Sequence, residues 1–267
     1  MIYRILLLTF FIATGRAQIL QPPTAEQDDS EPPVIFVAQV AHGAGLQTTF
    51  NFVDLSGETN RVAVRAFDDT GEPLELLSSG PSPFQGQTAE TEIGVEISGL
   101  GGTVAETFSS DPDSIQVGYV EITAEAPVGV EVVFRNFSSE GRLLTTTSVL
   151  PEPLTQAFSF IAFANSFAKS GIALLNPASN GQSVDVSVQL YNRFGDLAAE
   201  SVIELDQGQK VAILIDDPRL FPELLGQEFT GSIEIRATAP LGVTIIRVEG
   251  SEAFLTTQTV QPARGLE

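Results

Sequence analysis

The stretch Gly118 to Val130 (GYVEITAEAPVGV) returns as Gly231 to Val243 (GSIEIRATAPLGV), with eight of thirteen positions identical. A chain that repeats itself at this spacing is built from two like modules, and each, at about 115 residues, is long enough to bury its own core. Within the stretch Val120 and Ile122 alternate with Tyr119, Glu121 and Thr123, and Ile233 and Ile235 do the same in the second half. Period-two alternation marks a strand with one buried face. Ala-Pro-Xaa-Gly follows in both halves, and the expectation is a strand, a type I turn closed by a left-handed glycine, and a returning strand carrying Val130, Val132 and Phe134.

Further strands are expected at 34–41, 48–53, 61–67, 95–97, 103–107 and 143–149, with a turn at Asp68 to Gly71 and a Ser/Gly/Gln-rich excursion at 76–94. Self-comparison matches Phe36-Ala38 with Phe160-Ala162, Phe67 and Gly71 with Tyr191 and Gly195 without a gap, and Gly101, Val104 and Ala105 with Gly208, Val211 and Ala212. The halves differ at the 76–94 excursion and at 216–225, where Asp217 as N-cap, Pro218 at the first helical position and Gly226 as terminator predict a short helical turn. Many short strands and almost no helix give an all-β fold: two tandem immunoglobulin-like antiparallel β-sandwich modules related by internal duplication. The segments are a signal peptide at 1–17, a disordered acidic leader at 18–33, a first module at 34–153, a second at 154–262 and a tail at 263–267. The Pro151-Glu152-Pro153 linker is short and stiff, so the modules are expected end to end.

The address comes from the N-terminus. Arg4 precedes an apolar run from Ile5 to Ala13, and Gly15-Arg16-Ala17 offers a cleavage site. The run is shorter than the ~20 residues of a membrane span, so the chain is expected outside the cytoplasm, extracellular or periplasmic. Without the first seventeen residues eleven basic side chains face 34 acidic ones, a net charge of −23. Such a surface repels nucleic acid and anionic membranes. There is no cysteine, so burial must hold the modules without disulfides, as suits a bacterial exported protein.

Gly171 to Pro177 (GIALLNP), and Phe229 to Pro240 (FTGSIEIRATAP) with Arg247 after it, resemble an uncharacterised β-sandwich repeat of secreted proteins from Acidobacteria and related soil bacteria. In that repeat an "ALxNP" strand opens the module and a "GSxxIxSxxP…R" hairpin closes it. The resemblance covers nearly all of 157–262 and the first half less well. It implies a β-sandwich and a secreted address, and no activity.

The chemical inventory is sparse. His42 is the only histidine, and there is no Gly-x-Ser-x-Gly elbow and no phosphate-binding Gly-x-x-x-x-Gly-Lys loop. Zinc sites built from Cys and His are excluded. Acidic loops at 68–72, 110–113 and 216–217 offer oxygen ligands for calcium, but none has EF-hand spacing. After the leader there are no tryptophans and two tyrosines, Tyr119 and Tyr191, few platforms for sugar stacking. No catalytic, cofactor-binding or metal residue is assigned and no cofactor is expected. The expectation is an exported, non-enzymatic surface or extracellular interaction module for an unknown protein or glycan partner. The alternative is a polysaccharide- or small-ligand-binding module using end loops.

Overall fold

The computed structural model describes residues 34–79, 89–108, 113–151, 153–249, 254–258 and 261–262. The signal peptide, the acidic leader and the tail lie outside the described residues, as do residues 80–88 of the excursion. Among the described residues there is no α-helix, and two single-turn 3-10 segments interrupt an otherwise antiparallel β fold. Among the described residues no helix is long and apolar enough to cross a membrane.

The strands are β1 Ile35–His42, β2 Leu46–Asp54, β3 Asn60–Phe67, β4 Leu76–Ser79, β5 Ala89–Glu90, β6 Glu92–Ile97, β7 Gly102–Phe108, β8 Gln116–Ala124, β9 Val128–Phe137 and β10 Leu143–Val149. They continue as β11 Thr155–Ala164, β12 Ala168–Leu175, β13 Val184–Asn192, β14 Leu197–Leu205, β15 Lys210–Leu214, β16 Phe229–Glu249, β17 Phe254–Gln258 and β18 Gln261–Pro262. In the first sandwich one sheet runs β1-β8-β3-β6 and the other β10-β9-β2-β7-β4-β5. The second sandwich repeats this order: the first half of β16 lies between β11 and β13, with β14 beyond, and its second half lies between β12 and β17, with β15 beyond. Val37, Phe50, Phe52, Val64, Val120, Ile122 and Val132 fill the first core. Phe158, Phe160, Ile172, Leu174, Val186, Val188, Ile233, Ile235 and Val243 fill the second.

The repeated stretch is not a hairpin. β8 pairs with β1 and β3, whereas β9 pairs with β2 and β10 in the opposite sheet. In the second half the same residues form one continuous 21-residue strand that changes layers midway. Neither Gly129 nor Gly242 is among the left-handed glycines. Proline contributes no N–H, and the corner is tied instead by Asn60, whose amide donates to the Ala126 carbonyl at 2.9 Å and accepts from the Ala126 N–H at 3.1 Å. Asn180 donates to the Pro240 carbonyl at 2.9 Å in the second half. Alternation could not reveal this, because inward residues of both sheets of a sandwich point into the same core.

The crossing also alters the immunoglobulin-like expectation. The central pairs are β2–β7 in one sheet and β3–β8 in the other. Outside them β1 lies beside β8 and β9 beside β2, so the first and second strands stand in different sheets, as do β8 and β9.

Two glycines opening the repeated stretch have a packing reason. A Cβ on Gly118 would press into the Phe67 carbonyl oxygen, and one on Gly231 into that of Tyr191. The 216–225 segment serves the core. Asp217 caps a turn by accepting from the Arg219 N–H at 2.8 Å, but the helical turn falls later, at Pro222–Leu224. Leu220, Phe221 and Leu224 are part of the second core. Gly226, at φ +73°, ends the segment as expected.

The two sandwiches form a single compact unit and stand side against side, not end to end. Phe36 and Ala38 of β1, Phe67 of β3 and Tyr119 of β8 point away from the first core and meet Ala173 and Leu175, which point away from the second. Phe67 and Tyr119 stack at 5.0 Å between ring centroids. The Asp68–Gly71 turn, with Gly71 at φ +89°, presses its backbone on Gly208, so that any side chain at 71 would strike the Gly208 carbonyl. Leu154, just past the linker, packs into the same junction.

Candidate functional site: the groove between the sandwiches

Beyond Ala173 the junction opens into a groove of about 670 Å³. One wall comes from the first sandwich, with Gln39 and Ala41 of β1, Leu46 and Gln47 of β2, Phe134 of β9, Val117 of β8 and the adjoining Ile115. The other comes from Gly171 and Ala173 of β12, Ala212 and Leu214 of β15, and Ile246 and Val248 of β16. Its size lies within the ~300–1,000 Å³ of small-molecule pockets. None of its fifteen lining residues is charged, and only Gln39 and Gln47 carry polar side chains, in a protein of net charge −21.

The wall that the second sandwich supplies differs from its counterpart on the first. At the corresponding place on the first, β2 and β9 present Asn51, whose amide donates to Glu131 at 2.9 Å, and Arg135, which donates to Thr49 at 3.1 Å and to Glu106 at 3.0 Å. In the second, Gly171, Ala173 and Ile246 stand on the paired strands instead. Gln39 sits where β1 is irregular, between Val37 and Val40. It is 8% exposed; its Nε2 donates to the Val40 carbonyl at 3.3 Å, while its Oε1 is buried without a hydrogen-bond partner.

The residues singled out from sequence take structural positions. His42 is buried, with Nε2 2.7 Å from Gln116 Oε1, and burial lowers its pKa from 6.5 although the Gln116 bond opposes the shift. Tyr119 is buried in the junction, where burial, then the charges of Glu121 and Asp68, push its pKa up to about 12. It is no sugar platform. Tyr191 is half-buried and donates to Gln189 at 2.8 Å. Of the acidic loops, Asp68 Oδ1 accepts from the Thr70 N–H at 2.8 Å, the Thr70 hydroxyl at 2.7 Å and the Glu72 N–H at 3.1 Å. Asp69 pairs with Lys210, Asp216 with Lys169 at 2.6 Å and Asp217 with Arg219 at 2.7 Å. Residues 110–112 lie outside the described residues. Among the described residues no three of His, Cys, Asp and Glu gather as a metal site.

Sequence reasoning missed the groove, because its walls come from strands that read as ordinary alternating strands. The signal was present in part: Gly171, Ala173 and Ala212 are small residues at outward positions where the other half carries Thr49, Asn51 and Val104. Two large aromatics are also exposed. Phe167, 82% exposed, and Phe194, 75% exposed, sit on turns at one end of the second sandwich, where β16 begins. No protein-family model, curated protein or solved structure matches the chain.

Proposed function

We propose that this is an exported, non-enzymatic binding protein of two tandem sandwich modules that arose by duplication, and that it works through the groove between them. The observation that carries this reading is the uncharged apolar groove at the junction of a strongly acidic protein. Apolar concavities of this kind are the usual seats of ligands and partner segments. The duplication is supported by the repeated stretch and by the matching strand order of the halves. Secretion rests on the signal sequence of residues 1–17, and kinship with the secreted Acidobacterial repeat on residues 171–177 and 229–240 with Arg247. A test is retention of the purified protein on envelope and extracellular-matrix fractions, compared with Leu214→Arg, which puts a charge in the groove. Retention lost in the variant supports the reading; equal retention of both, or none of either, overturns it.

Phe167 and Phe194 favour a second reading, polysaccharide binding at the end loops. Glycan-array binding abolished by Phe167→Ala with Phe194→Ala, and unchanged by Leu214→Arg, would select it over the first.

A further inference from the structure

We propose that the groove binds a neutral, elongated apolar molecule bearing a single hydrogen-bond donor, of the fatty-alcohol type, with Gln39 as its polar anchor. This rests on the groove being the working site of the protein.

The chemistry of the walls selects the ligand. With no charge in the lining, a carboxylate or phosphate headgroup finds no cation, and the surrounding negative charge of the protein opposes it. A bound ammonium would likewise be stripped of water without a carboxylate to receive it. What remains is an uncharged ligand. Its apolar body has a floor of small residues, Gly171, Ala173 and Ala212, which leaves a smooth slot. Leu214, 38% exposed, and Ile115, 55% exposed, stand among the lining residues as apolar surface for a chain to cover.

Of the two polar side chains in the lining, Gln39 supplies the buried anchor. Its orientation is set, because Nε2 is already committed to the Val40 carbonyl. The free function is therefore the acceptor Oε1, and a buried acceptor without a partner is an exception in folded proteins. A hydroxyl or N–H brought along the groove that Gln39 lines would give this oxygen its partner. The apolar surface also extends past what docking of the two sandwiches uses: Leu175 and Ala173 make the contact, while Gly171, Ala212, Leu214, Ile246 and Val248 lie beyond it.

The test uses the whole chain and N-phenylnaphthylamine, an uncharged apolar fluorophore with one N–H donor. Saturable fluorescence enhancement is expected, displaced at least tenfold more strongly by dodecanol than by dodecanoate or by dodecyl methyl ether. Ala212→Trp fills the slot from an exposed position and should abolish binding without lowering the melting temperature. Gln39→Leu should keep the fluorophore bound but erase the preference for the alcohol over its ether. Absence of saturable binding, binding unchanged by Ala212→Trp, or equal competition by dodecanoate overturns the proposal. If the probe fails while Leu214→Arg still abolishes retention on envelope fractions, the ligand class is wrong and the groove remains the working site; failure of both removes the wider reading as well.

Discussion

Lys210 and Asp69 clasp the two sandwiches: the Lys210 ammonium, on a wholly buried side chain, lies 2.8 Å from Asp69 Oδ1, and the Lys210 N–H donates to the Asp69 carbonyl at 3.0 Å. The ammonium also donates to the Gly118 carbonyl at 3.4 Å, within the repeated stretch. Burial lowers the pKa of Lys210, and Asp69 opposes that shift. Removing the partner leaves a buried charge unpaired, while removing the charge does not. Asp69→Ala is therefore expected to destabilise by about 2–3 kcal/mol, short of the ~3–5 for a fully buried pair because the Asp69 side chain is 45% exposed. Lys210→Met should stay within about 1 kcal/mol of wild type. Urea denaturation of the two variants checks the asymmetry, and equal losses would contradict it.

Docking of the sandwiches through Phe36, Tyr119 and Leu175 predicts one cooperative unfolding transition for the wild type. Phe36→Ala removes the largest β1 contribution to the junction and should cost about 3 kcal/mol. More tellingly, it should separate the transition into two in differential scanning calorimetry. A single unsplit transition in the variant would mean that the cores are coupled by other contacts.

His42 predicts a specific acid sensitivity. Its folded pKa is lowered by burial, so the folded state favours the neutral ring. Its contribution is complete above the ordinary value of 6.5 and is lost as the pH falls from there through the lowered folded value. Melting temperature should decline over that window, and His42→Gln should flatten the decline. An identical pH profile in the variant would assign the sensitivity elsewhere.

Asp54 acts at a lower pH. Its carboxylate accepts from the Leu100 N–H at 2.9 Å, the Ser56 hydroxyl at 2.7 Å and the Gly57 N–H at 2.8 Å, and the Leu100 bond leads in holding its pKa far below the ordinary 3.8. The stabilisation is present above 3.8 and lost only as the pH falls well below it. Asp54→Ala should lower the melting temperature at neutral pH, and the gap from wild type should shrink in strong acid. A constant gap would show that packing, not charge, is what the substitution removes.

Gly118 and Gly231 should be intolerant of any side chain, because the neighbouring strand's carbonyl occupies the space of a Cβ. Gly118→Ala and Gly231→Ala are each expected to destabilise by about 3 kcal/mol or more, while Gly94→Ala, with nothing nearby, should be close to neutral. Thermal melts of the three variants check this.

Strand positions were legible wherever alternation met a turn. The 143–149 strand and the Asp68–Gly71 turn stand where the sequence puts them, the latter with the Gly71 N–H on the Asp68 carbonyl at 3.2 Å. Register was less legible. Strand pairing sets Val37, not Phe36, in the place of Phe160, since Val37 faces Val120 and Phe160 faces Ile233. Likewise Val104 corresponds to Ala212 and not to Val211. A slip of one residue exchanges the faces of a strand. It hid Phe36 and Ala38 as junction residues, and it hid Ala212 as part of the groove.

The sequence by itself determined the all-β class, the alternating core residues and the likeness of the two halves, because these follow from local periodicity and self-comparison. Only the tertiary structure decided that the repeated stretch crosses from sheet to sheet, that the sandwiches dock side against side, and that an uncharged groove lies between them. Each of these depends on which outward faces meet. An outward face carries the same alternating pattern whether it ends against water, another sheet or a ligand.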